Sequence, residues 1–95
     1  GWLYIQSGPA AGRSFQLNVG DTRIGRGPDN DIPLEDSEIS KGHALIREQG
    51  GQFTIQDLGS TNGTYVNGQL LRAVQLLYDG DSIRMGQTTL VFKHA

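Results

Sequence analysis

Turn-forming residues interrupt this chain about every 8–12 residues, and that spacing limits the fold more than any other feature. Gly8-Pro9, Gly20, Gly27-Pro28, Gly50-Gly51, Asn67-Gly68 and Asp79-Gly80 are the clearest breaks. Between them, apolar residues recur with a period close to two, the period of a strand with one face buried. No segment keeps an apolar stripe at helical spacing over three turns. The 14 glycines fit a chain with many turns. The expected fold class is therefore all-β, an antiparallel β-sandwich or barrel of short strands.

At 95 residues the chain fits a single domain spanning 1–95, with a thin core between two layers. No stretch approaches the roughly 20 apolar residues of a membrane helix, so no membrane insertion is expected. With no cysteine, disulfides and Cys-based metal sites are excluded. The chain starts at Gly1 and shows no secretory signal. Excision from a larger protein and an intracellular, cytoplasmic setting are the expectation.

Read in order, Trp2–Gln6 alternates as a strand with Leu3 and Ile5 inward. Arg13–Leu17 follows, with Phe15 and Leu17 inward, and Asp21–Gly25 is centred on Ile24. Ile32 and Leu34 mark a very short strand that tolerates Pro33 only at an edge. Glu35–Gly42 is polar apart from Ile39 and reads as a loop. His43–Gln49 and Gln52–Asp57 form a hairpin across Gly50-Gly51. Thr64–Val66 precedes a strong Asn-Gly hairpin signal. Leu70-Leu71, Val74–Leu77, Ser82–Met85 and Thr88–Lys93 complete the series, with Ile83, Met85, Leu90 and Phe92 as core candidates.

The formal net charge of −2 argues against non-specific nucleic-acid binding, which needs a basic face to neutralise phosphates. A small basic site for one anionic group stays open. Three loops hold suitable donors: Arg26 after Gly25, Ser40-Lys41 before His43, and Thr61-Asn62 within Ser60–Gly68. Loops of a sandwich cluster at its two ends. If these three share an end, Arg26, Ser40, Lys41, Thr61 and Asn62 converge on a set suited to a phosphate monoester. Arginine supplies a fork of donors, lysine a mobile point charge, and hydroxyls add neutral donors.

Each of these residues also fits an ordinary role. Arg26 fits a solvated turn, Ser40 a loop cap, and Asn62 a cap of its own turn. His43 fits a structural bond across loops better than catalysis. Asn62-Gly63-Thr64 matches a glycosylation sequon. Gly25–Asn30 lacks the last glycine of a dinucleotide fingerprint, and Asp29, Asp31 and Asp36 lack the spacing of a calcium loop. Two histidines make a poor zinc site. A Ser40–His43 nucleophile pair lacks an evident third member. No cofactor, metal or catalytic residue is therefore expected.

Five blocks, in order, resemble the forkhead-associated (FHA) domain family. They are Ile24-Gly25-Arg26, Asn30-Asp31-Ile32, Ser40-Lys41-Gly42-His43-Ala44, Asp57 through Gly68, and Leu77 through Gly86. The resemblance implies an eleven-stranded β-sandwich that binds phosphothreonine peptides through loops at one end, and not an enzyme. It implies that Arg26 and Ser40 hold the phosphate and that Lys41 adds charge where the family often has arginine. It assigns Thr61 to the phosphothreonine site and Asn62 to the peptide backbone of the ligand. Gly25 and His43 would support the loops. The implied partner is a threonine-phosphorylated protein or peptide, such as a kinase substrate or the chain's own parent. Lys41 lacks the guanidinium fork, and the neighbouring Gly42 is expected to loosen the loop. The rival readings are a phosphate-independent module that uses a sheet face, and a small hydrolase built on Ser40 and His43.

Overall fold

The computed structural model describes Gly1–His94 as two packed sheets, with no helix among the described residues. The strands are β1 (Trp2–Ser7), β2 (Ser14–Gln16), β3 (Gly20–Gly25), β4 (Ile32–Pro33), β5 (Ala44–Gln49), β6 (Gln52–Asp57), β7 (Thr64–Val66), β8 (Gln69–Leu70), β9 (Gln75–Leu77), β10 (Ser82–Met85) and β11 (Thr88–Lys93). One sheet runs β2-β1-β11-β10-β7-β8 and the other β4-β3-β5-β6-β9.

Alternation decides which side chains meet between the sheets. Leu3 and Ile5 pair across strands with Phe92 and Leu90, and all four are fully buried. Ile83 and Met85 of β10 continue that inner face. Opposite them lie Ile24, Ala44, Ile46, Phe53 and Ile55 from the second sheet. Each large apolar side chain so enclosed contributes about 1.5–3 kcal/mol before the entropy of ordering is subtracted. The tight turns use glycine where the backbone demands it. Gly50 and Gly51 have φ of 60° and 81°, and Asn67-Gly68 turns with φ of 49° and 81°.

One pairing departs from the antiparallel expectation. β4 lies parallel to β3, with Ile24 opposite Ile32 and Gly25 opposite Pro33. Residues 26–31 therefore loop over the end of β3 and bring the chain back alongside it. Pro33 is tolerated because β4 is an edge strand. Asp36 is a second departure from the solvated loop expected for Glu35–Gly42, since it is only 4% exposed. Its carboxylate accepts from Glu38 N–H and Gln87 N–H, both at 2.9 Å, and from the Thr88 hydroxyl at 2.8 Å. This anchors the 34–40 loop to the turn between β10 and β11.

Register explains why the candidate loops share one end. Ile24 pairs with Ala44, and Ala44 pairs with Asp57. The end of β3, the start of β5 and the end of β6 thus lie in one row. Arg26, Ser40–His43 and the 58–63 loop leave the sheet from that row together.

Candidate functional site

Arg26, Ser40, Lys41, Thr61 and Asn62 line one open cavity of about 320 Å³, together with Ser37, Glu38 and Ile39. Arg26 and Lys41 also border an adjoining cleft of about 500 Å³ that reaches Arg23, Pro28 and Gly42. All five residues picked out as candidate donors are brought together. Gly25 and His43 lie beneath them and are buried.

The cations are positioned by backbone contacts. Arg26 Nε donates to the Ile39 carbonyl at 3.0 Å, and its own N–H donates to the Ser40 carbonyl at 2.9 Å. The two terminal amino groups of the guanidinium are left for a ligand. Neither Arg26 nor Lys41 is ion-paired with a carboxylate among the described residues. Two unpaired cations flanking a cavity favour an anion there.

Asn30, which the sequence reading quoted only within the Asn30-Asp31-Ile32 block and gave no role, is a strut. Its Nδ2 donates to the Gly27 carbonyl at 2.7 Å and to the Lys41 carbonyl at 2.6 Å. Gly27 N–H donates to the same Lys41 carbonyl at 3.1 Å. The backbone at Lys41 is thereby tied to the 26–31 loop, which limits the looseness expected from Gly42. Gly25 is required by the same crowding. A Cβ there would lie inside contact distance of the Lys41 carbonyl and 2.9 Å from Asn30 Nδ2.

His43 is fully buried and joins two loops. Its Nδ1 accepts the Ser40 backbone N–H at 3.0 Å, so the ring proton on the other side, at Nε2, donates to the Gly63 carbonyl at 2.9 Å. Asp57 Oδ1 stands 4.0 Å from Nε2, too far for a hydrogen bond. Both ring nitrogens are thus committed to backbone. The Ser40 hydroxyl instead accepts from Thr61 N–H at 3.0 Å. Ser40 Oγ and His43 share no hydrogen bond, which counts against the hydrolase reading.

The 58–63 loop is wound around Asp57. Its carboxylate accepts from the N–H groups of Gly59 and Ser60 and from the hydroxyls of Ser60 and Thr64. Ser60 Oγ in turn accepts from Gly63 N–H at 2.9 Å. Burial works against the Asp57 charge, but the Ser60 and Thr64 bonds outweigh it and hold the carboxyl below its ordinary value. Asn62 Nδ2 donates to the Glu38 carbonyl at 2.9 Å, fixing the amide across the cavity. Thr61 and Asn62 are both exposed at the rim. The Asp57-x-x-Ser60 spacing was the available signal for this winding, because an Asp side chain commonly caps the turn that follows it.

The arrangement is a two-sheet β domain whose clustered loops present cations and hydrogen-bond donors suited to an anion. A family model for the FHA domain matches residues 22–86, and the chain belongs to that family. It is 43% identical over 90 residues to the glycogen accumulation regulator GarA of Mycolicibacterium smegmatis, covering 95% of this chain and 56% of that protein. It is 44% identical over 92 residues to an oxoglutarate dehydrogenase inhibitor of Corynebacterium diphtheriae, covering 97% of this chain and 64% of that protein. The chain therefore spans less than two thirds of either relative. Among solved structures, an FHA domain studied for phosphothreonine-dependent interactions superimposes with a TM-score of 0.91 at 36% identity, covering 99% of this chain and 95% of its own. EmbR of Mycobacterium tuberculosis, in complex with a low-affinity phosphopeptide, matches with a TM-score of 0.88 at 38% identity, covering 97% of this chain and 24% of its own.

Proposed function

We propose that this domain is a phosphothreonine-dependent protein interaction module. The phosphate is received by Arg26 and the Ser40 hydroxyl, with Lys41 adding charge. Thr61 borders the phosphothreonine side chain, and Asn62 bonds the backbone of the bound peptide. Gly25 and His43 hold the loops in place. The observation that carries this reading is the pair of unpaired cations, Arg26 and Lys41, in one cavity with Ser40, Thr61 and Asn62.

The physics of the switch follows from that geometry. Phosphorylation adds about −1.5 to −2 charge and three strong acceptors. An unmodified threonine leaves both cations without their anion. The Ser40 hydroxyl already accepts from Thr61 N–H, so its proton is free to be donated to a phosphate oxygen. Binding needs no bond made or broken, and the module is a reader and not an enzyme.

The partner is a threonine-phosphorylated protein, either a kinase substrate or another part of the parent chain. We take residues 1–95 as one binding domain of a longer intracellular protein, consistent with the share of its relatives that it spans. No helix among the described residues is long and apolar enough to cross a membrane.

Selection from a randomised phosphothreonine peptide library, beside its phosphoserine and unphosphorylated twins, tests the reading. The expected result is retention of phosphothreonine peptides alone. A γ-methyl in a fitted pocket is worth about 1–3 kcal/mol over phosphoserine. Equal retention of the unphosphorylated twin would overturn the proposal and leave the sheet-face module in its place.

A further inference from the structure

Among the described residues, the outer face of the six-stranded sheet is aromatic and cationic, and its strands carry no carboxylate. None of the chain's 10 Asp and Glu residues lies on any of its six strands. The domain as a whole is acidic, at −2. Its negative charge is thus confined to the other sheet and the loops.

Register assembles the apolar part of this face. Trp2 stands beside Lys93, and Tyr4 beside Val91. Trp2 is 51% exposed and Tyr4 43% exposed. On the next strands Arg84 stands beside Tyr65, with its guanidinium carbon 4.2 Å from the ring centroid. β1 and β7 are separated by β11 and β10, so these two strands lie about 14 Å apart at the usual strand spacing, and the register sets Tyr65 two residues further along the sheet than Tyr4. Two acidic residues border the face at one end: Asp81 precedes β10, its carboxylate taken by Tyr78 N–H and the Asn67 side chain, and Asp79 accepts from His94 N–H at 2.9 Å, one residue beyond Lys93.

Aromatic residues suit strands for their own sake, but that accounts for their type and not for the exclusion of every carboxylate. Half-exposed Trp and Tyr with an arginine match the composition of an interface centre, and a lysine beside them suits its rim. We infer that this face docks an acidic protein segment with at least one apolar anchor, independently of the phosphate site. Carboxylates of the segment would pair with Lys93 and Arg84, and its anchor would lie against Trp2 and Tyr4. A segment of five or six residues, about 17–20 Å when extended, spans both clusters.

The charge pattern selects this occupant over two others. A two-fold pairing of copies through this face would set Arg84 and Lys93 against like charges. A single-stranded nucleic acid would find aromatic rings but only two cations on a net-negative domain.

Trp2 is the only tryptophan in the chain, so its fluorescence reports on this face directly. The domain is titrated with a library of acidic ten-residue peptides that each contain one Phe, Leu or Trp-free aliphatic anchor, to about 1 mM. Twins with Gln and Asn in place of Glu and Asp, and an oligothymidylate, serve as comparators. The expected result is a saturable change in Trp2 emission with acidic anchored peptides, about tenfold weaker at 0.3 M than at about 0.05 M salt. It should persist in Arg26→Ala, which disables only the phosphate site, and disappear in Arg84→Glu/Lys93→Glu with the thermal midpoint unchanged. No response to any acidic peptide would overturn the inference. So would an equal response to the neutral twins, a response to the oligothymidylate instead, loss in Arg26→Ala, or self-association by sedimentation that the double variant abolishes.

Discussion

Thr61 N–H donates to Ser40 Oγ at 3.0 Å, joining the 58–63 loop to the 34–43 loop at the rim of the cavity. The bond fixes the direction of the Ser40 hydroxyl before any ligand arrives. Its lone pair is used by protein, and its proton is left over. Ser40→Ala removes this donor and leaves Thr61 N–H without its partner. Phosphopeptide binding should weaken by about 1–3 kcal/mol, the usual cost of losing such a bond. Anisotropy of a labelled phosphothreonine peptide measures it, and an unchanged affinity would exclude Ser40 from the site.

Gly25→Ala tests the crowding beneath the phosphate loops. The added Cβ meets the Lys41 carbonyl and Asn30 Nδ2, both part of the bracing between loops. Overpacking of this kind costs about 1–3 kcal/mol of stability. A lowered denaturation midpoint should come with weaker peptide binding, because the same contact holds Lys41. A variant as stable and as tight-binding as the parent would contradict this account.

His43 should matter for architecture and not for proton transfer. His43→Ala leaves the Ser40 N–H and the Gly63 carbonyl unpaired and opens a buried void. Each buried group without a partner costs about 1–3 kcal/mol. Urea denaturation should show a loss of that order, and peptide affinity should fall with it. Loss of binding at full stability would point instead to a direct role for the ring.

Acid should loosen both loops through Asp36 and Asp57. Burial opposes the Asp36 charge, yet bonds from Glu38 N–H, the Thr88 hydroxyl and Gln87 N–H hold its carboxyl below the ordinary 3.8. Asp57 is lowered likewise. A folded-state value below the unfolded one gives stability that is present above pH 3.8 and lost as pH falls through the folded values. The thermal midpoint should therefore drop as the solution is acidified below about pH 4, and Asp57→Asn should flatten that drop. A midpoint insensitive to pH in this range would argue that the carboxylate clamps are not formed.

The strands were legible because each residue's burial followed from its immediate neighbours. Leu3 and Ile5, Phe53 and Ile55, and Leu90 and Phe92 recur at every second position and face inward as that period requires. The clustering of Arg26, Ser40, Lys41, Thr61 and Asn62 was legible only as a condition on three loops meeting. Register between Ile24, Ala44 and Asp57 meets that condition. The parallel pairing of β4 was not legible, because two residues carry no signal of strand direction. Nor was the burial of Asp36, whose partners Gln87 and Thr88 are 51 and 52 residues away. Asn30 looked like any turn-forming asparagine, since its reach to the Lys41 carbonyl depends on the fold.

The most direct test is a calorimetric titration of one library-selected phosphothreonine peptide and its unphosphorylated twin against the parent domain and Arg26→Ala. The account predicts binding only by the phosphorylated peptide, and a loss of about 2–5 kcal/mol in the variant, the range for removing one partner of a close charge pair. Binding of the phosphothreonine peptide that is equally tight in Arg26→Ala would contradict it.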